Sequence, residues 1–180
     1  IAESITLGAP LDSQSAMGPL VNRAHSQRVL AYVQEGIREG ASLRTGGQGL
    51  DHPGAYVRPT VLAGVSPQMR VVREEIFGPV LVAASFENDA QAVSLANDSE
   101  FGLGASIWSR DLDRVRYMTR KLQAGSVWVN THNTLDVSLP FGGWKSSGMG
   151  HDLSEEAVLA HTRLKSSVHH YLQTDTTDLP

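Results

Sequence analysis

A chain of 180 residues, 41% of them hydrophobic, suffices for a single domain with its own core and contains no apolar run of membrane-spanning length. Its 15 basic and 19 acidic residues form neither a tail nor a stripe, which argues against nucleic acid as the main partner. With no cysteine present, disulfides, thiolate metal sites and a cysteine nucleophile are excluded for this chain.

The start, Ile1-Ala2-Glu3-Ser4, has neither an initiator Met nor the basic-then-apolar layout of a signal peptide. It reads as a processed, trimmed or engineered start, with a cytoplasmic address as the default. Gly8, Pro10, Gly18 and Pro19 break residues 1–21 into the end of an earlier helix and a loop. A helix follows: Asn22 is its N-cap, Leu30, Val33 and Ile37 recur at helical spacing, and Gly40 is its stop. Gly36 weakens its last turn by about 1 kcal/mol relative to Ala. Arg28 lies off the apolar stripe, and it and His25 read as ordinary surface side chains. Residues 42–68 are rich in turns, with short strands expected at Tyr56-Val57 and Thr60-Val61-Leu62.

Next comes Arg73-Glu74-Glu75-Ile76-Phe77-Gly78-Pro79, two carboxylates, a ring and a Gly-Pro turn at the entrance of an apolar strand over 80–86. Taken locally, the glutamates are solvated charges and Phe77 a core plug, or the cluster faces a ligand. A helix over 89–97 follows, with Asn88 and Gln91 as a capping box. Then come a strand over 105–108, a helix with Leu112, Val115, Met118 and Leu122 on one face that Gly125 ends, and a strand over 126–130. Connections of this length predict parallel strands with right-handed crossovers, an α/β fold with a parallel-type sheet and crossover helices.

Ligands of parallel sheets gather beyond the carboxyl ends of the strands, so residues 131–152 form the best loop for a functional site. A short helix over 154–160 and a last strand over 162–172 follow, with Leu164, Val168 and Leu172 on one side and a frayed remainder.

Several patterns within these elements fail on spacing. A phosphate-cradling Walker loop needs glycines where Leu139 and Trp144 stand. Gly148-Met149-Gly150 starts like a dinucleotide fingerprint, yet Leu153 occupies the third glycine's place and no strand precedes it. The histidines show no paired ligand spacing, so no metal site is expected. Lys145 beside Ser146 and Ser147 lacks the means of desolvation that a Ser/Lys nucleophile pair requires.

Glu74-Glu75-Ile76-Phe77-Gly78-Pro79-Val80 resembles the EE-x-F-G-P-V segment of the aldehyde dehydrogenase superfamily. Pro140-Phe141-Gly142-Gly143-Trp144-Lys145-Ser146-Ser147-Gly148 resembles its P-F-G-G-x-K-x-S-G loop. The two occur in family order, and the resemblance implies the C-terminal part of such an enzyme, beginning after the catalytic cysteine. On it, residues 1–160 are a partial catalytic domain and 161–180 an oligomerisation strand and tail.

The same resemblance implies that Glu75 accepts hydrogen bonds from the nicotinamide ribose hydroxyls and that Phe77 packs near the nicotinamide of NAD or NADP. Phe141 is then at the mouth of the aldehyde pocket, Leu135 at a pocket position that varies with substrate, and Asn130 holds the loop by hydrogen bonds. The nucleophile, the general base, the oxyanion donor and the cofactor domain all lie upstream in the family. No catalytic residue is therefore expected here, and the chain alone is expected to be inactive. The complete enzyme is expected to oxidise an aldehyde to a carboxylic acid as a homo-oligomer, dimer or tetramer. A non-catalytic assembly fragment and a relative that releases its product to coenzyme A stay open as alternatives. His151-Asp152 departs from the family's Arg-Glu at that place.

Overall fold

The computed structural model describes residues 1–171. After a 3-10 turn, Ala2–Ser4, and an irregular stretch, helix α1 runs Arg23–Arg38. The Asn22 side chain accepts the backbone N–H of His25 at 2.8 Å and fixes the start. The end is closed by bonds from Gly40 N to Ile37 O and from Ala41 N to Gly36 O, with Gly40 at φ 109°, a conformation that glycine adopts without a Cβ clash.

Strands β1, Ser42–Thr45, and β2, Thr60–Ala63, pair antiparallel, and β3, Val80–Ala83, pairs parallel to β2 after the one-turn helix α2, Arg70–Arg73. This sheet packs on α1 through a core of Val29, Val33, Val57, Leu62, Met69, Val71 and Ile76. Gly36 is part of that packing. A Cβ there would lie 2.9 Å from Val71 and 3.2 Å from Leu62, so the propensity lost within the helix is exchanged for close approach of α2 and β2. Of the short strands expected in 42–68, Thr60-Val61-Leu62 lies in β2, while Val57 makes only an isolated bridge to Gly49.

Helix α3, Asp89–Asn97, opens on Asn88, whose side chain accepts from Gln91 N at 2.9 Å. Strands β4, Phe101–Gly102, and β5, Gly104–Ile107, follow. Helix α4, Leu112–Lys121, crosses over to β6, Ser126–Val129, which runs parallel to β5. Strand β7, Trp144–Lys145, pairs antiparallel with β4, and α5 spans Ser154–Ala160.

Two expectations are corrected. The α/β class with parallel strand pairs stands, but among the described residues the strands fall into three sheets: β1-β2-β3, with β3 parallel to β2, the parallel pair β5-β6, and the antiparallel pair β4-β7. The alternation of strand and helix is set locally, but the neighbour of a strand is whichever backbone the tertiary packing brings alongside. The last strand, expected over 162–172, is not formed at residues 162–171, and residue 172 lies outside the described residues. Leu164, Val168 and Tyr171 are exposed there, and a strand exists only where a second backbone accepts its hydrogen bonds. No helix among the described residues is long and apolar enough to cross a membrane.

Candidate functional site

At the entrance of β3 the side chains sort themselves by burial. Ile76 enters the core at 8% exposure, so it, and not Phe77, is the plug. Gly78 presses the backbone against α1, where a Cβ would meet the Val29 methyls at 2.7 Å. Between them Phe77 sits in the left-handed region, φ 52°, with the residue 68% exposed. A left-handed backbone costs a non-glycine residue roughly 1–2 kcal/mol, and an exposed ring recovers little of that by burial.

The two glutamates part company. Glu74 accepts from the Tyr32 hydroxyl at 2.6 Å and from Arg70 Nε and Nη2 at 2.8 and 2.9 Å, with Arg70 stacked 5.2 Å from the Tyr32 ring centre. The Arg70 guanidinium first, then the Tyr32 hydroxyl, hold the Glu74 carboxyl down to about 2. Glu75 is exposed and pairs with no cation among the described residues. One carboxylate is thus spent on tying α1 to α2, and the other faces solvent two residues from the Phe77 ring.

A second region forms where β6 ends. Asn130, at φ 53°, donates from Nδ2 to Ser109 O and accepts from Ser109 N, both at 2.9 Å, which fastens the loop to the turn after β5 as the family resemblance implies. Beyond it lies a cleft of about 320 Å³ lined by Trp128, Thr134, Leu135, Leu139 and Phe141. Phe141 is set by paired backbone bonds with Asp152, 2.8 Å in each direction. Asp136 also borders the cleft, its carboxyl held below the usual range by the hydroxyl and N–H of Ser138. The walls are otherwise mostly apolar, which suits a ligand with an apolar body.

The structure therefore brings Leu135 and Phe141 onto one cleft, while Glu75 and Phe77 stand apart from it at the entrance of β3. Lys145 is an anchor: its ammonium donates to the carbonyl oxygens of Asn97 and Ser99. His25 is not a plain surface residue but half-buried, its Nε2 covered and without a hydrogen-bond partner among the described residues. Sequence reasoning missed Trp128 and Thr134 as cleft residues. The alternation of Val127, Trp128 and Val129 along a strand was the signal that Trp128 faces away from its neighbours.

Residues 1–167 match the aldehyde dehydrogenase family. The chain is 42% identical over 167 residues to a betaine aldehyde dehydrogenase of Sinorhizobium fredii, an alignment that covers 91% of this chain and 34% of that protein. A Pseudomonas syringae indole-3-acetaldehyde dehydrogenase, crystallised with NAD+ and IAA, superimposes with a TM-score of 0.88 at 41% identity over 92% of this chain and 34% of that one. A Staphylococcus aureus betaine aldehyde dehydrogenase in complex with NAD+ superimposes at 0.84 with 34% identity, over 89% and 33%. The chain spans about a third of the length of these relatives. A family match across almost the whole chain, joined to the two motif regions just described, means that the chain belongs to the aldehyde dehydrogenase family.

Proposed function

We propose that the chain acts as the C-terminal section of an NAD(P)-dependent aldehyde dehydrogenase that oxidises an aldehyde to a carboxylic acid. The observation that carries this reading is the Phe77 ring, held outward on a left-handed backbone beside the exposed Glu75 carboxylate. Strain of this kind persists where a ligand uses the side chain. A carboxylate is acceptor-only and suits a vicinal diol, such as a ribose, while an aromatic face or edge limits the poses of a planar ring. Both residues therefore fit the nicotinamide riboside end of a dinucleotide. NAD is favoured over NADP because two of the similar structures hold NAD+. When bound, the dinucleotide supplies the hydride acceptor.

In this reading Leu135 and Phe141 form one wall of the aldehyde pocket, and their apolar surface favours substrates with an apolar tail. Residues 1–160 contribute to the catalytic domain. Within the segment 161–180, the stretch 162–172, in which Leu164, Val168 and Tyr171 are exposed, pairs as a strand with a second copy of the protein in a dimer or tetramer.

The test is formation of reduced nicotinamide. The purified 180-residue chain, shown to be folded by circular dichroism, is expected to give none with NAD or NADP and a panel of aldehydes, because it has no thiol to attack with. Turnover by this cysteine-free chain would overturn the reading. In a full-length enzyme carrying this segment, Glu75→Gln is expected to raise the KM for NAD or slow hydride transfer. Unchanged kinetics would remove Glu75 from the site.

A further inference from the structure

The turn that delivers Leu135 to the cleft is held by more bonds than its length requires. Asn130 and Asn133 both take left-handed backbone, φ 53° and 54°, so the chain doubles back within four residues. Inside the turn, Thr131 Oγ1 and Thr134 Oγ1 are 2.9 Å apart. The Trp128 indole N–H donates to the carbonyl oxygen of Thr134 at 2.8 Å. That carbonyl belongs to the same planar peptide as the Leu135 N–H, so the indole sets the plane from which Leu135 departs. The Trp128 ring is in turn held edge-on by His132, centroids 5.4 Å apart at 71°. His132 Nδ1 lies 2.7 Å from the hydroxyl of Ser106 on β5, which pairs with Trp128 in the strand register.

We infer that His132 is a positioning residue: bonded to Ser106 and set edge-on against Trp128, it fixes the peptide that carries Leu135 and so sets which aldehydes the cleft accepts. This rests on the reading of Leu135 and Phe141 as a pocket wall. His132 does not itself line the cleft; its action passes through the indole of Trp128, which does. Its partner is a hydroxyl, which can both donate and accept, so the bond forms with either ring tautomer. Nor is the Ser106–His132 pair a nucleophile and base: no carboxylate among the described residues is bonded to the imidazole to orient it.

Two measurements test the inference. In the 180-residue chain, hydrogen exchange of the Trp128 indole N–H, which is bonded to Thr134 O, reads the latch directly. His132→Ala is expected to speed it by about fivefold or more, the scale of one lost hydrogen bond, with the Val33 amide in α1 unchanged. His132→Asn, which keeps a polar atom near Nδ1, is expected to restore slow exchange, whereas His132→Phe keeps the ring without the bond and restores it only in part. Unchanged exchange in His132→Ala would overturn the latch.

In a full-length enzyme carrying this segment, His132→Ala is expected to lower the preference for a bulky aromatic aldehyde over acetaldehyde about fivefold, through KM, with kcat for acetaldehyde retained. Erosion of that preference by Leu135→Ala but not by His132→Ala would sink the inference and spare the pocket reading. No effect of Leu135→Ala on any aldehyde would remove the pocket reading and with it the selectivity role, while the exchange measurement would still decide whether the latch exists.

Discussion

The Lys145 ammonium lies 2.8 Å from the carbonyl oxygen of Asn97, the last residue of α3, and 3.0 Å from that of Ser99. A cation at a helix C-terminus meets unpaired carbonyls and the negative end of the helix dipole at once. Next to it Gly102 N donates to Ser147 Oγ at 3.0 Å and Ser146 N to Glu100 O at 2.9 Å, so the loop bearing Phe141 is fastened to α3 and β4 from one side. Lys145→Met keeps the aliphatic stem and removes the charge. It is expected to cost about 1–2 kcal/mol, two charge-assisted bonds discounted for exposure, read as a lower urea midpoint with unchanged slope.

Glu74 links stability to acid. Its folded value, about 2, lies below the ordinary 4.5, so its contribution is complete above 4.5 and is lost as the pH falls through 4.5 towards 2. Arg70 is the first cause and Tyr32 the second, and both bonds lie at the surface, so salt should weaken the contribution. Glu74→Gln is expected to flatten the stability curve in that window and to leave its shape above pH 5 unaltered. Thermal unfolding between pH 2 and 6, at low and high salt, checks this. A variant with the same acid limb as the parent would show that other carboxylates carry it.

Helices α1, α3, α4 and α5 were legible in the sequence because caps and apolar spacing are local: Asn22 and Asn88 each bond the backbone three residues on. The neighbours of β3 and β5 were not, since any parallel apolar strand satisfies the same pattern and only packing selects β2 for β3. Residues 162–171 alternate like a strand but have no second backbone beside them in the single chain, and a pattern read from one chain carries no information about which backbone would complete it. At the site, proximity in sequence exposed Glu75 beside Phe77, but the division of labour between Glu74 and Glu75 depends on Tyr32, 42 residues away, and no local pattern contains it. Lys145 shows the same gap. Its type and its serine neighbours suggested chemistry, and its partners 46 and 48 residues away make it a fastener.

Phe77 opposes stability to use. Its left-handed φ of 52° is one that glycine takes freely, and its ring is largely exposed, so Phe77→Gly relieves strain while removing little buried surface. Against the extra freedom glycine gives the unfolded chain, the net change in stability is expected within about 1 kcal/mol of zero. In a full-length enzyme the same substitution is expected to slow hydride transfer, seen in single-turnover formation of reduced nicotinamide. A loss of several kcal/mol would mean that the ring is structural, and unchanged single turnovers would take it out of the cofactor's surroundings.

The closest backbone approach that bears on the cleft lies between Gly125, just before β6, and Gly142, next to Phe141. A Cβ built on Gly125 would stand 1.8 Å from the carbonyl oxygen of Gly142, and one on Gly142 would stand 2.4 Å from that of Gly150. These obstacles are main chain, with no rotamer to move into, so Gly125→Ala must separate β6 from the loop. It is expected to cost at least about 2 kcal/mol, at the upper end of overpacking penalties. Because Gly142 adjoins Phe141, the displacement should also widen the cleft, seen as an altered preference among aldehydes in a full-length enzyme. Gly64→Ala is the control: its φ of 65° carries strain, but nothing lies within 4 Å of the new methyl, so roughly 1 kcal/mol is expected. Urea unfolding of the two variants side by side separates backbone strain from backbone contact, and equal losses would mean that the loop can step aside from Gly125 without cost.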